Sequence, residues 1–458
     1  MAPAPTIKES AAGLYRTHDG LGPWPYRGKV AAVGIGHSPT ARRWDGTPDT
    51  AIGAQTIAAI RTAIKDAGVD AGEIDLLVMD CKTTAGGSPW PVGEAVPKEV
   101  VEQFVSSSDP LDGVAQLSPQ WLLLNLPELS GVKLVILATE CISMVLAASA
   151  EAVGRGLGTT CVAVKAWHNL AGRYGVRGAT AESVQTGNAK YGVHGYGVAG
   201  TNCFGIATQF RRYLHKYGKT REMMAPFVVN SRDNGLLFPE GYWAQHSPTP
   251  ITIDDYVHAR PIAEPANLLD NDLPIHAAAA YVITTSERAI DLRHRPAYVL
   301  GHAGTGVVDG ESYTGVAPRS TMQTLEEAED LAAATARRVY ESAQVTAADL
   351  AFENCYDGFS FLHPFHIEGF GYAGIRPGEA LDLYQTDISI SGPHPVSPSG
   401  GNIGGGRTRW WSHTDSIQQI QLRAGKRQIT QPATVGLSGG FTQDWNNFIV
   451  WSQTPDGP

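Results

Sequence analysis

The chain has 458 residues, 43% of them hydrophobic, and a formal net charge of −10 at pH 7. That length and apolar content fill a sizeable core, either two domains or one large duplicated fold, and exclude a disordered chain. The acidic balance has no basic block to offset it, so long polyanions such as nucleic acid are poor partners, whereas a small anion held by local arginines is allowed.

The opening MAPAPTIKES lacks the basic and apolar regions of a signal peptide, and no run approaches the roughly 18–20 apolar residues of a membrane span. A soluble, cytoplasmic protein with no membrane association is expected. KVAAVGIGHSP is then an apolar strand ending in glycines, 49–67 carries apolar residues at helical spacing, and GVDAGEID leads to a further strand, LLVMD. In LVILATECISMVLAASAEAVGRG a strand enters an alanine-rich helix. Residues 165–275 are rich in Gly, Tyr, His and Pro and resemble long excursions over a rigid scaffold, where substrate-binding loops sit. Within them a helix is expected at 205–217, and TIDD at 252–255 is a capping signal for another.

The first pattern then recurs. PAYVLGHAGTG is the strand and turn, 326–343 the helix, and QVTAADLAFENCYDG the turn and following strand. Ala67, Val69, Ala71 and Ile74 fall on Ala343, Val345, Ala347 and Leu350 at one constant offset, which points to an internal duplication of α/β units, each with a largely parallel sheet. The implied division is an N-terminal half at 1–164, a loop-rich insertion with the remainder of that half at 165–290, and a C-terminal half at 291–458.

Cys81, Cys141, Cys161, Cys203 and Cys355 are odd in number and none lies in a CxxC pair, so neither a disulfide framework nor a zinc ribbon is expected. The histidines show no HExxH spacing, and no metal site is expected. VGIGHSP lacks the third glycine of a dinucleotide fingerprint and GGNIGGGRT lacks the lysine of a phosphate loop.

Taken in order, these segments resemble the thiolase superfamily, in particular the lipid-transfer-protein or sterol-carrier-protein-type thiolases and their acyl-CoA aldolase relatives. RRYLHKYGKTREMMAPFVVNSR and PITIDDYVHARPIAEPANLLDNDLPIHAAAAYVITTSERA resemble the family's middle region. ENCYDGFSFLHPFHIEGFGY resembles its "HDCF" loop, SGGNIGGGRTRW its "GGxxxxGHPxG" loop, and GLSGGF its terminal "CxGGG" loop. The resemblance implies a duplicated five-layer α/β/α/β/α thiolase fold with two mostly parallel central sheets, usually a homodimer. It also implies action on acyl-CoA thioesters, with coenzyme A as part of the substrate and no tightly bound cofactor, in lipid or aromatic degradation. Relatives often work in a heteromeric complex with a small zinc-ribbon and OB-fold partner.

Thiolysis needs a nucleophilic thiolate, an acid–base group and an oxyanion hole. Ungapped counting from Gly156 places Thr139 at the nucleophile position, with Cys141 two residues beyond at the start of a helix whose first N–H groups would activate a thiol. Arg407 falls on the family's loop histidine and Leu437 on its terminal cysteine, so neither position retains proton chemistry, although Arg407 can hold an anion. The "HDCF" histidine becomes Tyr356, followed by Asp357. Tyr356 can donate to a carbonyl, or take a hydroxyl proton if a cation such as Arg407 lowers its pKa. Gly439 and Gly440 keep backbone N–H groups for an oxyanion, and His394 in a Pro-rich turn is an alternative base. Trp90, Trp121, Trp167, Tyr196, Trp243, Trp410 and Trp411 suit a bulky acyl chain or simple packing.

Three functions follow. The first is a carbon–carbon lyase performing retro-aldol cleavage of a β-hydroxyacyl-CoA without a cysteine nucleophile. The second is a thiolase or acyltransferase forming an acyl-enzyme on Cys141, and the third a non-catalytic acyl-CoA-binding scaffold.

Overall fold

The computed structural model describes residues 14–80, 95–103, 112–114, 116–138, 141–167, 202–305, 324–443 and 445–458. In chain order the strands are β1 (Val30–His37), β2 (Leu76–Asp80), β3 (Ala95–Pro97), β4 (Leu134–Ala138) and β5 (Thr160–Trp167); a small hairpin of β6 (Pro261–Ala263) and β7 (Ala266–Asn267); then β8 (Ala277–Thr285), β9 (Ala297–Thr305), β10 (Phe352–Cys355), β11 (Val435–Gly439) and β12 (Asn446–Ser452). The helices that matter to the site are α1 (Ile52–Ala67), α2 (Ile142–Gly154), α3 (Asn202–Tyr217), α4 (Ala225–Leu236), α5 (Leu325–Ala343), α6 (His363–Phe370), α7 (Gly401–Gly405) and α8 (Trp411–Ile420).

The duplication expected from the repeat is present in detail. Helices α1 and α5 end at Ala67 and Ala343, each followed by a left-handed residue, Gly68 at φ 72° and Gln344 at φ 54°. Short 3-10 turns follow at Ala71–Glu73 and Ala347–Asp349, both closed by capping boxes, and lead into β2 and β10. The TIDD signal likewise caps a short helix, Ile253–Val257, through the Thr252 hydroxyl and the Asp255 carboxylate.

The sheet departs from expectation in two respects. All main strands form one ten-stranded sheet, in the order β10-β11-β12-β9-β1-β8-β5-β2-β4-β3. Among the described residues the two halves of the sheet are joined where β1 meets β9, through Ala31↔Tyr298 and Ala32↔Ala297. Pairing is also mixed rather than mostly parallel: β2 is parallel to β4 and β5, and β10 to β11, but β8 and β12 run antiparallel to both of their neighbours. The C-terminal half gives the reason, because residues 440–445 between β11 and β12 are too few for a parallel crossover, which needs a dozen or more.

Three cores separate the layers. Ile60, Ile64 and other α1 residues pack on one face of the N-terminal half, while Val339 of α5 with Phe365 and Phe370 of α6 pack on the outer face of the C-terminal half. Between the halves lie α2 and α8 with Trp410, Trp411, Tyr281 and Trp451. These layers make the expected α/β/α/β/α succession. Every residue of α2 except its last is buried, which explains its small side chains, since a helix enclosed on all sides has no polar face to present. Its one carboxylate, Glu151, accepts from Trp24 Nε1 at 2.8 Å and Arg155 Nε at 2.9 Å and contacts His302 Nε2 at 3.1 Å, tying the central helix to β9.

Candidate active site at the strand ends

Parallel strands place their carboxyl ends, and the loops that follow, on one rim. Here β2, β4 and β5 end at Asp80, Ala138 and Trp167, and β10 and β11 end at Cys355 and Gly439. Most of the candidate residues are the next residues along the chain.

Tyr356 follows β10, with its N–H donating to Gly439 O at 2.9 Å, and it is 6% exposed. Its ring meets Phe441 edge-on at 5.3 Å between centroids. A Cβ added at Gly358 would stand 1.9 Å from the Tyr356 hydroxyl and 3.0 Å from Asp272 Oδ2, so both side chains converge on the space that glycine leaves. The Asp272 N–H donates to Gly358 O at 3.2 Å, and the same segment pairs through Asn271↔Phe359 and Pro274↔Arg407. Burial pushes the Asp272 carboxyl up to about 7, with Arg407 and Arg409 opposing and Asp357 adding to the rise. Burial also raises the Tyr356 phenol above its ordinary value, outweighing Arg409 and Arg407. The expected lowering by a neighbouring cation is therefore reversed, because desolvation of the phenolate is the larger effect.

The loop SGGNIGGGRTRWW is a short helical turn followed by an extended turn, and Asp357 builds it. The Asp357 carboxylate accepts from Asn402 N at 2.6 Å and Ile403 N at 3.2 Å, the first N–H groups of α7. A Cβ at Gly401 would lie 2.0 Å from Asp357 Oδ2, so this contact requires glycine. Burial raises the Asp357 carboxyl to about 6, with the Asn402 N–H opposing most strongly. Asn402 Oδ1 in turn accepts from Thr408 N at 3.1 Å and Arg409 N at 2.8 Å.

That grip holds Arg409 at φ 70°, a left-handed conformation that costs a non-glycine residue free energy and clusters at functional sites. Its guanidinium lies 3.9 Å from the Phe441 ring centroid, 5.1 Å from Trp167 and 6.0 Å from Tyr356. Arg407 donates its N–H to Leu273 O at 2.7 Å and places its guanidinium 4.9 Å from Trp167. Lys165, ion-paired with Asp80, lies 5.1 Å from the same ring. Three cations thus surround Trp167, a concentration of positive charge suited to a developing oxyanion.

Cys141 is the N-cap of α2 and is buried, with Sγ 3.7 Å from both Gly440 O and Ser143 Oγ. Ser143 Oγ lies 2.8 Å from His413 Nε2, whose Nδ1 lies 2.8 Å from Ser438 Oγ, and that oxygen accepts from Trp451 Nε1 at 2.7 Å. Burial depresses the His413 pKa to about 3, which keeps the ring neutral. Gly439 and Gly440 have φ 132° and 100°, and the Gly440 N–H donates to Asn447 O at 2.8 Å, so one of the two amides expected at an oxyanion is committed to the sheet.

Gly439 and Gly440 therefore stand between Tyr356 on one side and Cys141 on the other. Asp357 supports Arg407 and Arg409, and Leu437 is buried in β11. His394 is not part of this group: it is exposed, edge-on to Tyr372 at 6.2 Å. Thr139 lies outside the described residues, as do Trp90 and Tyr196. Sequence reasoning missed Asp272 and Arg409. Asp272 sits in NLLDNDLP, where two acids, Asp270 and Asp272, share a short stretch, and only the glycine after Tyr356-Asp357 signals a neighbour filling that space. Arg409 was eclipsed by Arg407, two residues earlier in one GGGRTR run.

Comparison with known proteins gives the site its setting. Residues 316–450 match the thiolase C-terminal domain-like family. Over 93% of this chain and 98% of the other, the fold superposes on the solved Ltp2-ChsH2(DUF35) aldolase with a TM-score of 0.69 at 21% identity. The chain has the thiolase fold. The thiolase fold is also shared with human mitochondrial 3-ketoacyl-CoA thiolase in complex with CoA, at a TM-score of 0.59 and 10% identity over 95% of this chain and 100% of that one. In sequence, this chain is 29% identical over 260 residues to a steroid side-chain-cleaving aldolase of Thermomonospora curvata. It is 30% identical over 263 residues to the 17-hydroxy-3-oxo-4-pregnene-20-carboxyl-CoA lyase of Mycobacterium tuberculosis. These matches span 56% of this chain and 64% of each relative. Among the described residues no helix is long and apolar enough to cross a membrane, and no group of three His, Cys, Asp or Glu side chains is arranged to hold a metal.

Proposed function

We propose that this chain is an acyl-CoA-dependent carbon–carbon lyase that cleaves a β-hydroxyacyl-CoA by retro-aldol reaction without a cysteine nucleophile. The observation that carries the reading is Tyr356, buried at the end of β10 with its hydroxyl beside Asp272 and two arginines close by. A retro-aldol reaction must remove the β-hydroxyl proton and stabilise the thioester enolate that leaves, and this group offers a proton acceptor and cationic stabilisation in one place. Arg409 and Arg407 take the enolate oxygen, Asp357 holds their loop in register, and Gly439 contributes its backbone. The two relatives named as an aldolase and a carboxyl-CoA lyase support the same class. Coenzyme A enters as part of the substrate, not as a resident cofactor.

The test is incubation of the protein with 17-hydroxy-3-oxo-4-pregnene-20-carboxyl-CoA and with simpler tertiary β-hydroxyacyl-CoAs, following release of the ketone and the shortened acyl-CoA. Tyr356→Phe is expected to abolish release and Cys141→Ala to leave most of it. Substantial cleavage by Tyr356→Phe rules out the assignment. The neighbouring Ltp2-ChsH2(DUF35) aldolase carries two components in its name, which supports assaying this chain, as a homodimer, together with a small zinc-ribbon and OB-fold partner.

One observation favours a second reading, acyl transfer on Cys141. Its thiol is at the N-terminus of α2, beside a serine hydrogen-bonded to a buried neutral histidine that orients the serine hydroxyl. Intact mass measurement after mixing with acetyl-CoA decides it: an acyl adduct lost in Cys141→Ala supports transfer, and an unmodified chain eliminates it.

A further inference from the structure

We infer that Tyr356 and Asp272 form one proton-transfer pair across Gly358, with Asp272 acting through the tyrosine hydroxyl rather than on the substrate itself. For its turnover arm the inference rests on the lyase reading above; for its geometry it stands alone. In the loop that resembles "HDCF", two positions have changed together: tyrosine stands for histidine and glycine for cysteine. The structure gives the physical link between the two changes. The hydroxyl of Tyr356 occupies the place where the side chain of residue 358 would begin, 1.9 Å from that Cβ position, with Asp272 Oδ2 3.0 Å from the same point. The two groups face one another across this space without a direct hydrogen bond between them, and any residue but glycine there would keep them from closing on each other.

Asp272 is held in place from three directions. Its own N–H donates to Gly358 O at 3.2 Å, Asn271 pairs with Phe359 before it, and Pro274 pairs with Arg407 after it. Both side chains are sequestered, at 2% exposure for Asp272 and 6% for Tyr356. The charged groups facing the carboxyl are Arg407, Arg409 and Asp357. A buried neutral phenol is a poor base by itself, because forming its anion in a low dielectric costs several kcal/mol. A carboxylate that accepts the phenol proton as the phenol accepts another removes that obstacle, since no phenolate accumulates.

The step balances. The β-hydroxyl proton of the substrate passes to Tyr356 Oη as the Tyr356 proton passes to Asp272 Oδ2. The C–C bond pair flows into the thioester carbonyl, giving a ketone and an enolate beside the arginines. The proton then returns along the same path to the enolate α-carbon. Asp272 is a carboxylate again, and the acyl-CoA product leaves with no net proton consumed.

The test places 3-fluorotyrosine at position 356 and records its fluorine resonance against pH in the full chain. A step in chemical shift with its midpoint near neutrality is expected, lost in Asp272→Asn and lost in Gly358→Ala, whose methyl displaces the hydroxyl. An unchanged step in both variants, or no step in the parent, overturns the pair. In turnover, Asp272→Asn is expected to lower kcat by about 10²–10⁴-fold and to remove the near-neutral limb of the kcat/KM profile, with Asp272→Glu restoring part of both. If no β-hydroxyacyl-CoA is cleaved while the fluorine step behaves as stated, the lyase reading fails and the pair stands.

Discussion

At the scale of single residues, Gly358 and Arg409 decide more than their neighbours. Gly358→Ala puts a methyl group within 1.9 Å of the Tyr356 hydroxyl, and the ring, wedged against Phe441 at 5.3 Å, must move. Overpacking of this kind costs about 1–3 kcal/mol of stability, whereas displacing a reacting group by about 1 Å costs on the order of 10²-fold in rate. Gly358→Ala is therefore expected to fold and to lose activity; thermal melting alongside a cleavage assay separates the two, and an active variant would refute the placement of the hydroxyl. The two arginines should also differ. Arg409, gripped by Asn402 and stacked on Phe441 at 3.9 Å, is the strongest charge opposing the rise in the Tyr356 pKa, whereas Arg407 is the stronger one acting on Asp272. Arg409→Gln is expected to lower kcat more than Arg407→Gln does, by at least tenfold, in parallel steady-state assays; equal losses would assign the enolate to both.

At the scale of elements, α7 shows why part of the site was legible in sequence and part was not. A run reading GGNIGGG has almost no intrinsic helix propensity, and the sequence marks it only as a turn. It becomes helical because Asp357, from a loop forty-odd residues earlier in the chain, accepts its first N–H groups. The long helices α1 and α5 were readable for the opposite reason, since their periodicity and caps are local, as in the Thr324–Glu327 capping box. Strand direction was not readable, because nothing in β8 or β12 records which way a neighbour runs. Tyr356, Asp357 and Arg407 are legible as candidates because they follow motif order; Asp272 is not, because it meets them only through a contact across the chain. Asp357→Asn tests the capping role. An amide nitrogen cannot accept the second N–H, so a loss of about 1–3 kcal/mol is expected at pH 7. The folded carboxyl is raised to about 6, so between its unfolded value and about 6 this group binds more proton in the native state and its own contribution to stability falls as pH rises. Urea unfolding at pH 5 and pH 7 should show this decline reduced in the variant by roughly 1.4 kcal/mol for each unit crossed.

At the scale of the whole molecule, the central layer joins the two halves, and it does so with polar groups held in forms that suit neutral pH. His37 and His413 are buried there with pKa values pushed down to about 3, in both cases by burial first, and for His37 with Arg427 adding to the fall and Asp66 opposing it. His366, beneath Gly440, is lowered to about 4. A histidine depressed in this way contributes stability that is present above its unfolded value near 6.5 and is lost as pH falls toward the folded one. Buried carboxyls oppose this trend in the same window. Asp270 and Asp357 are raised to about 6, and Asp272 and Glu368 to about 7, so each of them favours the folded state as pH falls. The two sets oppose one another between about pH 4.5 and pH 6, so each offsets part of the other's slope there. Removing one member of one set exposes the balance. His413→Gln can keep a hydrogen bond to Ser143 or Ser438 but has no proton to gain, so it should be less stable than the parent at pH 7. Relative to the parent it should then recover about 1.4 kcal/mol per unit as pH falls from 6 to 4.5. Paired urea titrations measure this difference, and a gap between the two proteins that stays constant with pH would show that His413 takes up no proton on unfolding and is not held neutral between the halves.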